Sequence, residues 1–257
     1  MRATFFTLTL LAFVAAPAAA QGTQKPTPPT QKPAPTQATK PKPKPVPKQP
    51  IGFRGFAAFD YATMSATSTF TGMTGSSSIT GFGAGAEILN VWRKAFLRFG
   101  FSTSSVDGTR GFATEGSGFV STGIPITIGV RYVEIAGGWR MYPPKKRPAR
   151  LPPSAPAPTQ PIALYAAGGL LIGTISQESP FAMGNENSSA TGNGFVFLGG
   201  LEYAFTKKRN LIAGVEAEYR SVGGGVLGTT GSVSGAFNEN NAGGAAVRVL
   251  FGYKYKK

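Results

Sequence analysis

Along "NLIAGVEAEYRSV", residues 210–222, charged and apolar side chains take turns: Glu216, Glu218 and Arg220 stand at every second position, with Val215, Ala217 and Tyr219 between them. A period of two marks a β-strand with two chemically different faces. Which face meets the core is a separate question. In a soluble sandwich, water takes the charges and the core takes Val, Ala and Tyr. In a membrane barrel, lipid takes the apolar face and the charges point into a lumen. The alternation recurs in eight stretches: 51–63, 79–91, 94–104, 124–142, 161–176, 194–206, 210–222 and 243–255. Each is near or above the roughly 9–11 residues a tilted strand needs to cross a bilayer. Beyond the N-terminus no run has a convincing helical period. The most apolar stretch, "PIALYAAGGLLIGTI" at 161–175, is too short for a transmembrane helix and begins with Pro161.

The connections between these stretches alternate in length. Long ones fall at 64–78, 105–123, 177–193 and 223–242, whereas Trp92–Arg93 and "TKKR" make tight turns. Long loops at one end and short turns at the other are a habit of transmembrane β-barrels. "PPKKRPARLPPSAPAPTQ", 143–160, lies on the short-turn side yet is long, and its prolines make it an extended excursion. Charge follows the same parity. The short-turn end collects Arg93, Lys94, Lys145, Lys146, Arg147, Arg150, Lys207, Lys208, Arg209, Lys254, Lys256 and Lys257, with no acid. The long loops hold Asp107, Glu115, Glu178, Glu186 and Glu239 against Arg110. A protein whose two ends lie in two compartments has a reason to sort charge in this way; a soluble sandwich has none.

The remaining acids all fall within strands: Asp60, Glu87, Glu134, Glu202, Glu216 and Glu218. Arg54, Arg98, Arg140, Arg220 and Arg248 join them there. Their alternation partners decide the face. Arg54 and Asp60 share parity with Gly52 and Ala58, against Phe53, Phe59 and Tyr61; Glu87 shares parity with Gly81, Gly83 and Gly85; Arg98 shares parity with Gly100 and Ser102, against Phe99 and Phe101. Glycine within strands costs stability and marks close approach. Facing water it gains nothing; inside a narrow lumen it makes room for long Arg and Glu chains. These eleven residues are therefore expected to form a structural ion-pair network in the lumen, arginine being suited to it by its planar fork. Aromatic residues near strand ends (Tyr61, Trp92, Trp139, Tyr142, Tyr203, Phe205, Tyr253, Tyr255) fit interfacial girdles. Strand 4 departs from the pattern: Arg131 and Glu134 have opposite parity, which implies a bulge or an upper half standing above the membrane.

The N-terminus supplies the compartment. Arg2, the apolar "FFTLTLLAFVAA" and the small-residue "APAAA" ending at Ala20 have the pattern of a signal peptide, 1–20. The apolar stretch is too short for a membrane anchor helix. Residues 21–50, with ten prolines, six lysines and no acid, form neither ladder nor core and read as a disordered Pro/Lys-rich linker. It is either a plain spacer or a cationic tether to an anionic polymer such as peptidoglycan or to lipid head groups. The chain's formal charge of +15 is thus no nucleic-acid signal. Without Arg2 and the six tether lysines, residues 51–257 keep nineteen basic and eleven acidic residues, net +8. Cysteine is absent, so burial and strand pairing must hold the fold.

Over 51–257 the eight alternating strands, the tight basic turns and strand endings such as "EIAGGWRMY" and "VRVLFGYKY" resemble the small OmpA/OmpX-type outer-membrane β-barrel family. The resemblance implies an all-β, eight-stranded antiparallel up-and-down transmembrane barrel in the bacterial outer membrane. Family members usually end on an aromatic residue that helps assembly; here Lys256 and Lys257 follow Tyr255. Barrel enzymes of similar architecture, the lipid A acyl-modifying enzymes, phospholipases and omptin proteases, rely on histidine, and this chain has none. Without His or Cys, a Ser-His triad, a thiolate nucleophile and most transition-metal sites are excluded. Glu216 and Glu218 have a spacing open to glycosidase-like work, against the plainer reading of ion pairs with Arg220, Arg98 and Arg248. "GGGVLG", 223–228, precedes no helix and carries no nucleotide-binding meaning.

The leading expectation is a non-enzymatic integral outer-membrane protein with a structural or surface-contact role. It needs no cofactor, contacts outer-membrane lipid, binds no nucleic acid, is a monomer and keeps both termini periplasmic. One alternative is a narrow porin-like channel for small solutes. Another is a soluble secreted β-barrel binding an apolar ligand, which requires Phe53, Phe59, Phe99 and Phe101 inside.

Overall fold

β-Branched and aromatic side chains pack well on a pleated surface, so stretches that alternate them with small or polar residues favour extended backbone. In the computed structural model, which describes residues 50–114, 118–143, 161–180, 187–206, 210–223 and 237–255, these stretches form eight strands and one short helix. The strands are β1 (Gly52–Met64), β2 (Ser78–Leu89), β3 (Ala95–Thr114), β4 (Gly118–Met141), β5 (Ile162–Glu178), β6 (Ser188–Ala204), β7 (Leu211–Gly223) and β8 (Gly244–Tyr255). Helix α1 (Thr67–Thr74) lies between β1 and β2. Each strand pairs antiparallel with its neighbour in sequence, and β8 pairs with β1 to close the barrel. Closure leaves no sheet edge in the body of the barrel. The expected signal peptide, all of the linker but Pro50, and most of the connection 143–160 lie outside the described residues.

Register turns the sequence alternation into two surfaces. Arg54 stands opposite Glu87, Glu87 opposite Arg98, Asp60 opposite Arg248, and Glu216 opposite Arg248. All of these point inward and are buried. The other parity points outward. Phe53, Phe59, Phe99 and Phe101 are 55%, 44%, 43% and 46% exposed, so the apolar-ligand reading, which needed them inside, is overturned. A one-residue slip would exchange the two faces of a strand, and the charges hold the register against it.

The outer apolar belt has edges. It carries Trp92, Trp139, Tyr203, Tyr253 and Tyr255 at the turn end and Tyr61, Phe82, Phe195 and Tyr219 towards the loop end. Above the second group the outward positions become polar: Thr63, Thr80, Thr103, Arg131 and Asn193. Arg131 is thus an exposed residue at the upper rim. The ladders on both sides of β4 run without interruption past it, pairing Arg131 with Thr103 and with Thr174. Of the two explanations for its parity against Glu134, the bulge is wrong at this place, and Arg131 stands at the end of the belt.

Two further expectations need correction. The connection expected at 105–123 is mostly strand: β3 continues to Thr114 and β4 begins at Gly118, forming an arm above the barrel. A register shift between Thr109 and Gly111 breaks the alternation there, and a hairpin paired only with itself needs no lipid-facing apolar residues. The other miss is α1, eight residues reading "TSTFTGMT". Two turns offer too few positions for a helical period to stand out. What the helix does present is Phe70 and Met73, three apart, both buried in the barrel mouth.

Candidate functional site

The lumen is the place where the sequence concentrates unusual chemistry. The structure brings all eleven singled-out residues there and joins them into one network. Near the turn end, Arg54 Nη1 donates to Glu202 Oε1 at 2.5 Å and Nη2 lies 2.6 Å from Glu87 Oε2. Arg140 Nη2 reaches Glu87 Oε2 at 2.9 Å and Glu202 Oε1 at 3.1 Å. Arg98 donates from Nε to Glu87 Oε1 at 2.9 Å and from Nη1 to Glu216 Oε2 at 2.6 Å. Higher in the lumen, Arg220 bridges Glu218 Oε1 at 2.5 Å and Asp60 Oδ2 at 3.0 Å. Arg248 lies 3.0 Å from Asp60, 2.6 Å from Glu218, 3.3 Å from Glu134 and 3.4 Å from Glu216.

Glu216 is therefore the link between a lower group (Arg54, Glu87, Arg98, Arg140, Glu202) and an upper one (Asp60, Glu134, Glu218, Arg220, Arg248). Its Oε2 also accepts from the Tyr165 hydroxyl at 2.7 Å. Glu87, Arg98 and Glu216 are 1%, 0% and 0% exposed. Charges so far from water cost desolvation energy, and only dense pairing of this kind offsets it. The same geometry answers the glycosidase-like reading of Glu216 and Glu218. Both carboxylates are taken up by arginines, and neither faces solvent where a sugar or a water nucleophile would have to enter.

Four aromatic side chains that the pattern reading did not single out complete the lining. Arg98 Cζ lies 4.9 Å from the Phe56 ring centroid and 5.5 Å from that of Tyr165. Arg140 lies 4.9 Å from Phe96, and Arg220 lies 4.7 Å from Tyr132. Each of these three guanidinium groups thus has both carboxylates and an aromatic ring beside it, an arrangement favoured away from water. A sequence signal existed. Phe56, Phe96 and Tyr132 each stand two residues from an inward Arg or Glu of their own strand, hence on the same face. Tyr165 lacks that cue, since β5 places no charge in the network.

Lumen glycines serve both partners. A Cβ at Gly100 would stand 2.4 Å from Glu134 Oε1, whereas at Gly85 and Gly200 it would meet the Phe56 ring and the Tyr165 hydroxyl at 2.4 Å and 2.5 Å. The room made by glycine is thus filled by rings as well as by charged chains. Near the turn end, a cavity bounded by Arg54, Phe56, Glu202, Ile212, Gly214, Leu250 and Gly252 measures about 10 Å³, enough for about one water.

Towards the loop end the lining changes character. Ile126, Ile128, Val130, Ile175 and Val222 face inward, and α1 adds Phe70 and Met73 above them. Tyr132 marks the boundary: its ring lies against Arg220 while its hydroxyl donates to the Ala242 carbonyl at 2.6 Å. The cap residue of α1 is Ala66, whose side chain has no oxygen to offer. Glu239, from the β7–β8 connection, does the capping instead, its two oxygens accepting from the Ser68 and Thr69 amides at 2.8 Å each. That carboxylate is held below its ordinary pKa of 4.5: slight burial pushes it up, and the Thr69 and Ser68 amides pull it down further.

No family model matches the chain, and no curated protein matches it. Among solved structures it is similar to Ail, the attachment invasion locus protein of Yersinia pestis, crystallised with the heparin analogue sucrose octasulfate. That match has 11% identity, covers 79% of this chain and 99% of that one, and has a TM-score of 0.42. It is also similar to Neisserial surface protein A, at 14% identity over 80% and 97% of the two chains with a TM-score of 0.42. A third is the N-terminal β-barrel domain of Pseudomonas aeruginosa OprF, at 10% identity over 79% and 99%, TM-score 0.37. At such identities and scores, what the chain does has to follow from its own geometry.

Proposed function

We propose that the chain is an integral outer-membrane barrel with no catalytic role and a lumen closed to solutes, contributing to envelope structure and meeting other molecules at its loop end. One observation carries this reading: a single buried guanidinium–carboxylate network fills a closed barrel whose exterior is an apolar belt. A barrel dissolved in water would have the opposite arrangement. An eight-stranded barrel has an interior just wide enough for side chains, and here Arg98, Glu87 and Glu216 occupy its centre. The belt begins and ends in aromatic residues and gives way to a polar rim at Thr80, Thr103 and Arg131, the order of an outward apolar band between two interfaces. The barrel acts as a monomer in contact with outer-membrane lipid. With an even number of strands both termini share one side, the periplasm, where the basic linker at 21–50 reaches peptidoglycan.

The test is folding into detergent or vesicles followed by gel mobility with and without boiling, and conductance across a planar bilayer. A heat-modifiable band with no steady conductance is expected. Recovery of the protein as a soluble periplasmic species overturns insertion, and stable single-channel steps favour the narrow-channel alternative. For topology, an epitope tag at Gly184 is reached by antibody on intact cells and one beside Lys207 only after permeabilisation. The reverse labelling overturns the orientation.

A further inference from the structure

The turn end of the barrel pairs exposed cations with exposed indoles. Trp92 is 64% exposed, and Trp139 packs against it edge-on with ring centroids 5.7 Å apart at 74°. The Arg93 guanidinium lies 5.3 Å from the Trp92 ring centroid. Arg93 and Lys94 are both exposed. The turn that presents them is braced: Val91 donates to the Ala95 carbonyl at 3.1 Å, Ala95 to Trp92 at 2.9 Å, and the Arg140 amide to Lys94 at 3.0 Å.

Arg93 has φ 56°, a left-handed conformation in which Gly or Asn is at ease and a long side chain is strained. Asn90, in the same turn at φ 59°, is such a residue; Arg93 is not. A strained residue is retained where its side chain serves a purpose. Solvent alone supplies none, since any polar residue suits water. In the sequence, the two other connections at this end and the C-terminus add ten basic residues and no acid.

We infer that this end is a docking surface for anionic phospholipid headgroups, with Arg93 and Lys94 engaging phosphate and Trp92 and Trp139 seated at headgroup depth. The inference rests on the membrane insertion proposed above. Lipid is favoured over a soluble polyanion because the cations share a turn with Trp92, which packs on Trp139 of β4, and both indoles continue the outward apolar belt. An indole beside a cation suits a boundary that is apolar on one side and phosphate-bearing on the other. The opposite end differs: its belt meets Thr63, Thr80, Thr103 and the exposed Arg131 without an indole beside them, and in sequence its loops carry five acids against Arg110.

Both tryptophans of the chain lie here, so intrinsic fluorescence reports this end alone. The full-length barrel is reconstituted in phosphatidylcholine containing increasing fractions of brominated phosphatidylglycerol or of brominated phosphatidylcholine, and quenching is compared. Brominated phosphatidylglycerol should quench at lower fractions, with a preference of about fivefold for each cation that engages. The preference should fall towards one in about 1 M salt, where the Debye length shrinks to about 3 Å. It should also fall in the double variant Arg93→Asn, Lys94→Gln, whose asparagine suits the left-handed turn and keeps the fold. Equal quenching by the two lipids overturns the inference while leaving insertion standing. No quenching by either overturns insertion itself. A preference unchanged in the double variant overturns the assignment to these two residues. Equal lipid quenching together with sacculus binding that the double variant loses assigns the surface to peptidoglycan instead.

Discussion

From the turn end up to Arg220 the lumen is packed with guanidinium and carboxylate groups; beyond Tyr132 it is packed with Ile126, Ile128, Val130, Phe70 and Met73. The residues of both halves are buried, yet they are held by different physics. In the charged half every arginine is aimed at particular carboxylates, and a wrong register strands charges that cannot be rehydrated. Its net contribution to stability is small, since desolvation offsets the Coulomb gain, but its demand on geometry is high. The apolar mouth has the reverse balance. Burial there is favourable and non-directional, so it tolerates rearrangement and says little about register. The charged half specifies the barrel and the apolar half seals it.

The largest effect should come from cutting the network at its centre. Arg98→Met removes the cation that Glu87 and Glu216 share and leaves two buried carboxylates short of a partner, at a cost of about 3–5 kcal/mol. The midpoint of urea unfolding, read from the folded band on unboiled gels, should fall accordingly. In the mouth, Met73→Ala removes a buried chain on a short helix that can settle into the gap. A cost of about 2 kcal/mol is expected, the low end for such a change. If the mouth variant proves the more damaging of the two, the division of labour drawn above is wrong.

A finer test separates space from charge. Gly100→Ala puts a methyl 2.4 Å from where Glu134 Oε1 now stands, so the carboxylate must move away from Arg248. A loss of about 1–2 kcal/mol is expected from overpacking. Gly137→Ala, where a Cβ meets nothing within 4 Å, serves as its control and should be neutral or slightly stabilising. Equal losses would mean that the glycines serve the backbone and not their lumen neighbours.

The charged half was far more legible in the sequence than the mouth. Alternation with Arg and Glu on one parity gives strand, face and lumen together, because a membrane barrel has nowhere else to put those charges. The rings of Phe56, Phe96 and Tyr132 shared that parity and were legible in principle, but they were hidden by the expectation of a small, glycine-rich face. The mouth gave weaker signs. Val106 and Phe119 pack there from an arm whose register shifts at Thr109–Gly111, so no single period runs through it. Helix α1 depends on a cap about 170 residues away in sequence, which local pattern cannot reveal.

That remote cap supports the smallest and most selective prediction. Glu239 binds the Ser68 and Thr69 amides, the donors a local cap side chain would normally satisfy. Its folded pKa lies below 4.5, so the ionised carboxylate is the form that holds the helix. The stabilisation is fully present above the unfolded carboxylate range and is lost as pH falls through the lowered folded value. The amide resonances of Ser68 and Thr69 should therefore be constant from neutral pH down to about 5 and move together only below the ordinary carboxylate range. Glu239→Gln keeps an oxygen acceptor but loses the charge, and should cost about 0.5–1 kcal/mol locally. Because the carboxylate is largely in solvent, salt should shrink the difference between the two proteins. The charged half of the lumen should not respond over this range of substitutions, so the resonances of Tyr165 and Arg98 should stay where they are in the variant. If those move as well, mouth and network are one cooperative unit, and the contrast between them fails at its weakest joint, Tyr132.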